Sequence, residues 1–276
     1  MIRIGYHIST AGSIDFAFDR AASIGCNTMQ IFLSNPRSWS VSKADTKEQA
    51  AFAAKEKSSD ISPVIAHMPY LPNVASSDSI KRTKSIECLK KTALLCDQLS
   101  IEYLVTHLGS HMGAGKSNGI KNAISAINEI DCKVCILLEN EAGQKNSIGS
   151  DLYDMAEILD SINIKNKGFC FDTCHAFAAG YDIREASSVE EIGRILGFDR
   201  IKVIHLNDAL YDIGSHRDRH ENFGLGLIGL DGFRQFFREK KLLSKPMIME
   251  TPGRADIGAE NELEEVKSFL VRADNI

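Results

Sequence analysis

The sequence predicts a single α/β domain with the (β/α)8 TIM barrel fold. Short runs rich in Ile and Val alternate with helical patterns, and eight such pairs can be counted along the 276 residues. No Pro-rich or Ser/Gly-rich linker and no low-complexity tract separates these pairs, although the length alone would allow two domains. We therefore expect residues 1–276 to form one TIM barrel domain.

The predicted strands are short apolar runs enriched in β-branched residues, and longer segments with helical periodicity lie between them. In chain order, the strands are expected at 2–8, 27–33, 63–68, 103–108, 133–140, 168–175, 201–207 and 246–251. The helices are expected at 13–24, 46–58, 79–99, 119–130, 150–162, 189–196, 230–240 and 260–271.

The composition is that of a folded globular protein. Hydrophobic residues make up 43% and charged residues 25% of the chain, which excludes disordered and fibrous proteins. The N-terminal residues carry no apolar signal segment, and the apolar runs are far shorter than the roughly 18 residues of a membrane span. Seven cysteines, an odd number, do not indicate a disulfide framework. We expect an intracellular, cytoplasmic protein that does not enter a membrane.

Chemically reactive side chains lie at the ends of the predicted strands. Seven of the eight end residues are His or carboxylate, and in chain order the eight are His7, Gln30, His67, His107, Glu139, Asp172, His205 and Glu250. In a barrel, the carboxyl ends of all strands open onto one face, so these side chains would converge there. A doubly wound sheet would bring only a few of them together.

Two further pairs extend this set. Asp172 and His175 lie together in FDTCHAF, and Asp218 and His220 lie two apart in the long loop after the seventh strand. Without His7 and Gln30, the set then holds five histidines and four carboxylates, nine potential ligands without a thiolate, a mixture that suits Zn²⁺ first and Mn²⁺ or Fe²⁺ next.

A single buried histidine is more often a hydrogen-bonded packing residue than a ligand. Burying this many ionisable groups without counter-charge, however, would cost several kcal/mol per unpaired group, which favours a metal cluster. We expect His7 to line the pocket, and His111 and His216 to be solvated in polar loops.

The loops after the second and third strands carry Arg37, Trp39, Tyr70 and Leu71. Arg and apolar side chains beside the pocket suit insertion into a distorted DNA duplex. Packing of Trp39 and Leu71 beneath the loops is an equally open interpretation from the residues alone.

Seven motifs together carry a resemblance to a known family. They are HMPYLPNVAS at 67, THLGSH at 106, LLENEAGQ at 137, FDTCHAFAAGYD at 171, IHLNDA at 204, GSHRDRHENFGLG at 214 and METPG at 249. From residue 4 to about residue 253 the chain resembles endonuclease IV, the metal-dependent apurinic/apyrimidinic endonuclease family.

The resemblance implies an enzyme of base excision repair that cleaves duplex DNA 5′ to an abasic site. The products would be a 3′-hydroxyl and a 5′-deoxyribose phosphate, and 3′ blocking groups would also be removed. Three zinc ions are implied, with metal-bound hydroxide as nucleophile and with Glu139 and Glu250 as catalytic carboxylates. By the family pattern, Glu139 bridges two ions. The first ion would also take His67 and His107, the second Asp172, His205 and Glu250, and the third His175, Asp218 and His220.

Duplex DNA with abasic sites is the implied partner, and no obligate protein partner is implied. The net charge of −5 argues against a broad basic surface, but three Zn²⁺ would add six positive charges at the site itself. Arg37, Tyr70 and Leu71 stand where the family contacts DNA. Pro36 and Ser38 are smaller or less polar than the residues of some members.

The main alternative is a sugar isomerase or epimerase with a similar barrel. Such enzymes would use Glu139, Asp172, His205 and Glu250, but they leave the trio of His175, Asp218 and His220 unexplained, as well as the loop from Arg37 to Trp39. A shared fold does not determine function. An inert binding barrel is less favoured, because none of the nine ligand positions is lost.

Overall fold

A computed structural model of the chain describes residues 2–41, 43–253 and 256–274, and it confirms the predicted fold class. Eight parallel strands close into a barrel. They are β1 (Ile4–Ile8), β2 (Met29–Phe32), β3 (Val64–His67), β4 (Tyr103–Thr106), β5 (Cys135–Glu139), β6 (Lys167–Asp172), β7 (Ile201–His205) and β10 (Met247–Met249). β1 pairs with β2 on one side and with β10 on the other, which closes the ring. The two remaining strands, β8 (Asp208–Ala209) and β9 (His220–Glu221), form a short antiparallel ladder.

Helices surround the barrel, and each of the eight predicted helices has a counterpart. The described residues form α1 (Phe16–Ile24), α2 (Thr46–Ser58), α3 (Ser79–Leu99), α4 (Lys116–Ile127), α5 (Leu152–Ser161), α6 (Thr173–Ala179), α7 (Ala186–Leu196), α8 (Gly229–Phe236), α9 (Lys240–Leu243) and α10 (Gly258–Asp274). Asp45, Asp78 and Asp151 cap α2, α3 and α5, because their carboxylates accept backbone N–H groups of the first turn. In the described part of the chain, no helix is both long and apolar enough to cross a membrane.

Two helices were not predicted, and both change the expected boundaries. The prediction that the sixth strand runs to residue 175 is wrong, because the strand ends at Asp172 and α6 begins at Thr173. The Asp172 carboxylate accepts the N–H of His175 at 2.7 Å and so starts the helix. The predicted helix 230–240 ends at Phe236, and α9 starts after Glu239, whose carboxylate accepts the N–H of Lys241.

A layer of apolar side chains fills the barrel. Six buried residues from six different strands form a cluster separate from the main core between strands and helices: Ile65, Val105, Leu137, Cys170, Val203 and Ile248. Side chains alternate between the two faces of a strand, so the residue two positions later also points inwards. Those later residues are His67, His107, Glu139, Asp172, His205 and Glu250. The strand period therefore directs six predicted site residues to the mouth of the barrel.

Candidate metal centre

The mouth of the barrel brings together all nine residues that the sequence analysis named as ligands. They form three groups, and within each group the nitrogen and oxygen atoms lie within 4.8 Å of one another. The first group is His67, His107 and Glu139; the second is Glu139, Asp172, His205 and Glu250; the third is His175, Asp218 and His220. The strands of the barrel and the residues that directly follow them supply the first two groups. Helix α6, β9 and the segment before β9 supply the third.

Glu139, at the end of β5, lies between the first two groups. Its Oε2 atom is 2.9 Å from Nε2 of His67 and 3.3 Å from Nε2 of His107. Its Oε1 atom is 2.8 Å from Nδ1 of His205. The side chain is 1% exposed, so water does not screen these contacts. One carboxylate therefore presents one oxygen to each group.

The remaining carboxylates complete the second and third groups. Nδ1 of His205 lies 3.3 Å from Oε2 of Glu250 and 3.8 Å from Oδ2 of Asp172. In the third group, Oδ1 of Asp218 lies 3.3 Å from Nε2 of His175 and 3.5 Å from Nε2 of His220. Each group thus combines imidazole nitrogen with carboxylate oxygen, the ligand set that zinc takes in proteins.

Neighbouring acceptors determine which nitrogen of each imidazole faces the site. Nδ1 lies 2.7 Å from the carbonyl of Met68 in His67, 2.9 Å from that of Asn140 in His175, and 3.1 Å from that of Glu250 in His220. Because a carbonyl oxygen only accepts, Nδ1 carries the proton in these rings and Nε2 keeps its lone pair. In His107, Nδ1 lies 2.9 Å from the Glu141 carboxylate, at ion-pair distance but without the geometry of a hydrogen bond.

The lone pairs of the third group have no donor. Within the described residues, Nε2 of His175 and Nε2 of His220 are buried and make no hydrogen bond. Their nearest charged neighbours are carboxylate oxygens, including Oδ2 of Asp172 at 3.7 Å from His220. Lone pairs that converge in a buried site, with the opposite ring nitrogen held by an acceptor, are the arrangement of a metal ligand set. The residues present therefore fit a divalent metal.

Cys174 is close enough to Asp172 and His220 to form a fourth, overlapping group. Burial raises the pKa of this thiol far above its ordinary value. The protonated thiol is a poor metal ligand, and the Sγ atom instead lies 3.5 Å from the carbonyl of Arg219. The predicted ligand set therefore needs no thiolate.

Electrostatic coupling keeps the central carboxylate ionised. Burial raises the pKa of Glu139, but the imidazoles of His107 and His205 outweigh it and hold that pKa well below the usual range. Burial alone would lower the pKa of His107. The nearby carboxylates of Glu139 and Glu141 outweigh burial and raise the pKa of His107 to about 9. The carboxylate is thus available as an anionic ligand at neutral pH.

Two buried asparagines, which the sequence analysis did not identify, hold the second group in place. Asn140 accepts the N–H of Asp172 at 2.7 Å and donates to the carbonyl of Asp172 at 3.0 Å. Asn207 donates to Oδ2 of Asp172 at 2.7 Å and accepts the N–H of Glu250 at 2.8 Å. The available signal was positional, because Asn140 directly follows Glu139 and Asn207 comes two residues after His205.

A buried carboxylate also fixes the segment that carries Asp218. Asp208 accepts the N–H groups of Ala209, Gly226 and Ile228 at 2.8 to 3.0 Å. These bonds tie β8 to the glycine-containing turn before α8, and the ladder of β8 with β9 then positions His220. The expected extended loop after the seventh strand is therefore a hairpin with fixed ends.

The loops after β2 and β3 lie beside the site and are joined by a hydrogen bond from the N–H of Tyr70 to the carbonyl of Pro36, at 3.0 Å. Tyr70 is 62% exposed, Leu71 is 42% exposed, and Arg37 is also exposed. Leu71 therefore does not pack beneath its loop, whereas Trp39 is half-buried. Tyr70 stays close to the site, since its ring centroid lies 6.1 Å from that of His67.

The other three histidines lie outside the three groups. Nδ1 of His7 lies 3.0 Å from Nε2 of Gln30 at the rim of the second group, in agreement with a pocket-lining position. His111 and His216 each make hydrogen bonds to loop backbone, and His216 is exposed, as expected for a polar loop. Nδ1 of His111 accepts the N–H groups of Gly113 and Gly115, and Nδ1 of His216 lies 3.2 Å from the carbonyl of Ala142.

Comparison with known proteins agrees with this geometry. The family model described as xylose isomerase-like TIM barrel matches residues 18–272. A probable endonuclease 4 of Methanoculleus marisnigri is 47% identical over 271 residues, which cover 94% of this chain and 96% of the relative. A probable endonuclease 4 of Persephonella marina is 40% identical, with 95% of each chain covered.

Solved structures show the same relationship. The crystal structure of endonuclease IV from Thermus thermophilus superposes with a TM-score of 0.87 at 30% identity, covering 98% of this chain and 99% of that one. A D-tagatose 3-epimerase-like protein superposes with a TM-score of 0.75 at 22% identity, a likeness that shows the fold alone. With relatives this similar over nearly its whole length, the chain belongs to the endonuclease 4 family of xylose isomerase-like TIM barrels.

Proposed function

We propose that this protein is a metal-dependent DNA repair endonuclease that hydrolyses the phosphodiester bond 5′ to an abasic site in duplex DNA. The products are a 3′-hydroxyl and a 5′-deoxyribose phosphate, and the same hydrolysis removes 3′ blocking groups. One observation carries the proposal: three adjoining groups of imidazoles and carboxylates meet at the barrel mouth, with ring lone pairs facing inwards. The relatives named endonuclease 4 support the choice of substrate class.

The three groups would hold three zinc ions, with Glu139 shared between the first and the second. When bound, zinc lowers the pKa of water and neutralises phosphate charge, which is the chemistry that phosphodiester hydrolysis needs. The six positive charges of three ions also exceed the net charge of −5. An acidic protein would thereby present a positive site to DNA phosphates.

Two carboxylates have catalytic roles in this proposal. Glu139 is sealed from solvent and keeps the first two groups adjoining, because its two oxygens face different groups. Glu250 has 15% of its side chain exposed, whereas Asp172 is fully buried. Glu250 is therefore the carboxylate of the second group that substrate can approach, and we assign to it the orientation of the attacking water at Oε2.

Arg37, Tyr70 and Leu71 would contact the DNA. The exposed guanidinium of Arg37 can pair with a backbone phosphate, and Tyr70 and Leu71 project beside the metal groups, where they can enter the helix. Insertion costs least where no base is stacked or paired, which is the case at an abasic nucleotide. The loop geometry thus supplies a physical reason for a preference for abasic sites.

The test is nicking of a duplex with one abasic site, with an undamaged duplex of the same sequence as the control. We expect cleavage 5′ to the abasic site, loss of cleavage after chelation, and recovery when zinc is restored. Mass spectrometry of the ends should find a 3′-hydroxyl. A folded, zinc-loaded protein that leaves the abasic duplex intact would overturn the proposal, and ketose and aldose sugars would be the next substrates.

A further inference from the structure

Among the eight predicted strand-end residues, Gln30 is the one that is neither His nor carboxylate. It lies within β2 and is fully buried between Glu250 and His205. We propose that the Gln30 amide selects the ring tautomer of His205 and anchors the Glu250 carboxylate, so that the second group presents its ligand atoms to one ion. This inference rests on the proposed metal-dependent function. It makes Gln30 a positioning residue, since the amide acts through His205 and Glu250.

The contacts determine the orientation of the amide. Nε2 of Gln30 lies 2.7 Å from Oε1 of Glu250, and a carboxylate oxygen only accepts, so the NH2 group must face Glu250. Oε1 of Gln30 then faces His205 and lies 2.8 Å from its Nε2 atom. An amide oxygen also only accepts, so the proton of His205 must be on Nε2.

The tautomer in turn determines the ligand atom. A neutral imidazole carries a single N–H, so protonation at Nε2 leaves the lone pair on Nδ1. That atom lies 2.8 Å from Oε1 of Glu139 and 3.3 Å from Oε2 of Glu250, inside the second group. Gln30 thus links Glu250 to His205, and both of these residues belong to the second group.

His205 needs this device because it is oriented differently from the other ligands. His67, His175 and His220 are anchored at Nδ1 by backbone carbonyls and present Nε2. His205 presents Nδ1, and its Nε2 atom points across the barrel towards β2, two barrel strands beyond the neighbouring β10. The backbone carbonyls of barrel strands are used in hydrogen bonds to the adjacent strands. The acceptor for Nε2 of His205 is therefore a side chain, and it comes from β2.

No other common side chain makes both contacts with the same geometry. The two hydrogens of the Gln30 amide meet Glu250 and Nδ1 of His7, the latter at 3.0 Å, while the oxygen meets His205. Leu at this position would leave Nε2 of His205 without the Gln30 oxygen, and Oε1 of Glu250 would keep only the longer contact with Nδ1 of His7, at 3.4 Å. Glu would still accept from His205 but would put a second carboxylate against Glu250.

The experiment measures zinc affinity by competition with a chromogenic chelator, together with zinc content by mass spectrometry, for the wild type, Gln30→Leu and Gln30→Glu. Removing the hydrogen-bond partner of a metal ligand weakens metal binding by about 10–100-fold. We expect that loss for one of the bound ions in both variants. Ile31→Val is the control, because Ile31 is buried in the same strand but packs in the main core between strands and helices. It should keep the affinity of the wild type.

A second measurement is made on the wild type, and one variant serves only to assign its signals. Long-range ¹H–¹⁵N NMR correlations of the zinc-loaded wild type report which ring nitrogen of each histidine is protonated, and loss of signals in His205→Asn identifies His205. We expect its proton on Nε2. A proton on Nδ1 of His205, or unchanged zinc affinity in folded Gln30→Leu, would overturn this inference alone. A wild type that binds no zinc would overturn the proposed function and the role of Gln30 with it.

Discussion

Replacing Glu139 with glutamine tests whether one carboxylate serves two metal groups. The amide has the shape of the carboxylate, but it lacks the negative charge and has only one acceptor atom. If its oxygen serves the second group, its NH2 faces Nε2 of His67, which is 2.9 Å from the native Oε2. That NH2 would donate to the His67 lone pair and occupy the atom that should bind metal. The reverse orientation would block Nδ1 of His205 in the same way.

The expected magnitude follows from the number of contacts. Losing the hydrogen-bond partner of a ligand weakens metal binding by about 10–100-fold, so losing the ligand itself should cost at least about 100-fold at each group. A factor of 100 corresponds to about 2.8 kcal/mol, and two groups give about 5.6 kcal/mol. If hydrolysis requires both ions, kcat/KM on an abasic duplex should fall by about 10⁴-fold, as 5.6 kcal/mol requires.

Glu141→Gln is the matched control, because it makes the same chemical change two residues away. Glu141 contacts the first group only through Nδ1 of His107, at 2.9 Å. We expect about a 10–100-fold weaker affinity for one ion and a correspondingly smaller loss of activity. Zinc content and steady-state nicking are measured for both variants, and circular dichroism establishes folding. A folded Glu139→Gln variant that keeps three ions and near-normal turnover, or equal impairment of the two variants, would refute the shared role of Glu139.

Three further predictions concern the metal and the DNA. Chelation should lower Tm by roughly 5–10 °C, because zinc at a hundred times its Kd stabilises the folded protein by about 2.7 kcal/mol. Identical melting curves with and without chelator would contradict this prediction. Zinc affinity should rise as the pH increases towards about 9, because below that pKa a proton on His107 competes with the metal. Competition titrations from pH 6 to 8 should show this rise in affinity, and an affinity independent of pH would contradict it. Tyr70→Ala should weaken binding to an abasic duplex by about 5–150-fold, the equivalent of about 1–3 kcal/mol of lost stacking, as measured by fluorescence anisotropy. Tyr153→Ala is its control, because Tyr153 is 56% exposed but lies on helix α5, outside the barrel. Equal losses in the two variants would rule out insertion of Tyr70 into the DNA.

The ring of strand-end residues could be predicted because it depends only on local periodicity. Ile65 and His67, or Leu137 and Glu139, are two residues apart, so any inward apolar residue near the end of a strand is followed by an inward residue at the mouth. A pattern of this kind needs no knowledge of which strand lies beside which. The strand-end residues could therefore be predicted before the order of strands in the barrel was known.

The residues that position the ligands could not be predicted in this way. Gln30 meets His205 from 175 positions away, and Asn207 meets Glu250 from 43 positions away. Such contacts exist only after the barrel closes, and an amide at a strand end has no distinguishing local pattern. The start of α6 was missed for a related reason. The run 168–175 contains several apolar residues and resembles a strand throughout. The strand stops at Asp172, because its carboxylate accepts hydrogen bonds from the backbone of His175 and from the side chain of Asn207.

That carboxylate, Asp172, links the second and third groups as Glu139 links the first and second. Its Oδ1 atom accepts the N–H of His175 at 2.7 Å and thereby begins the helix that carries this third-group ligand. Its Oδ2 atom is held by Asn207 at 2.7 Å and lies 3.7 Å from Nε2 of His220. A shift of Asp172 would therefore move a side chain of the second group and the backbone of the third together. Because two shared carboxylates connect the three groups, we expect the metal centre to act as one cooperative unit, in which the affinity measured at one group depends on occupancy of the next.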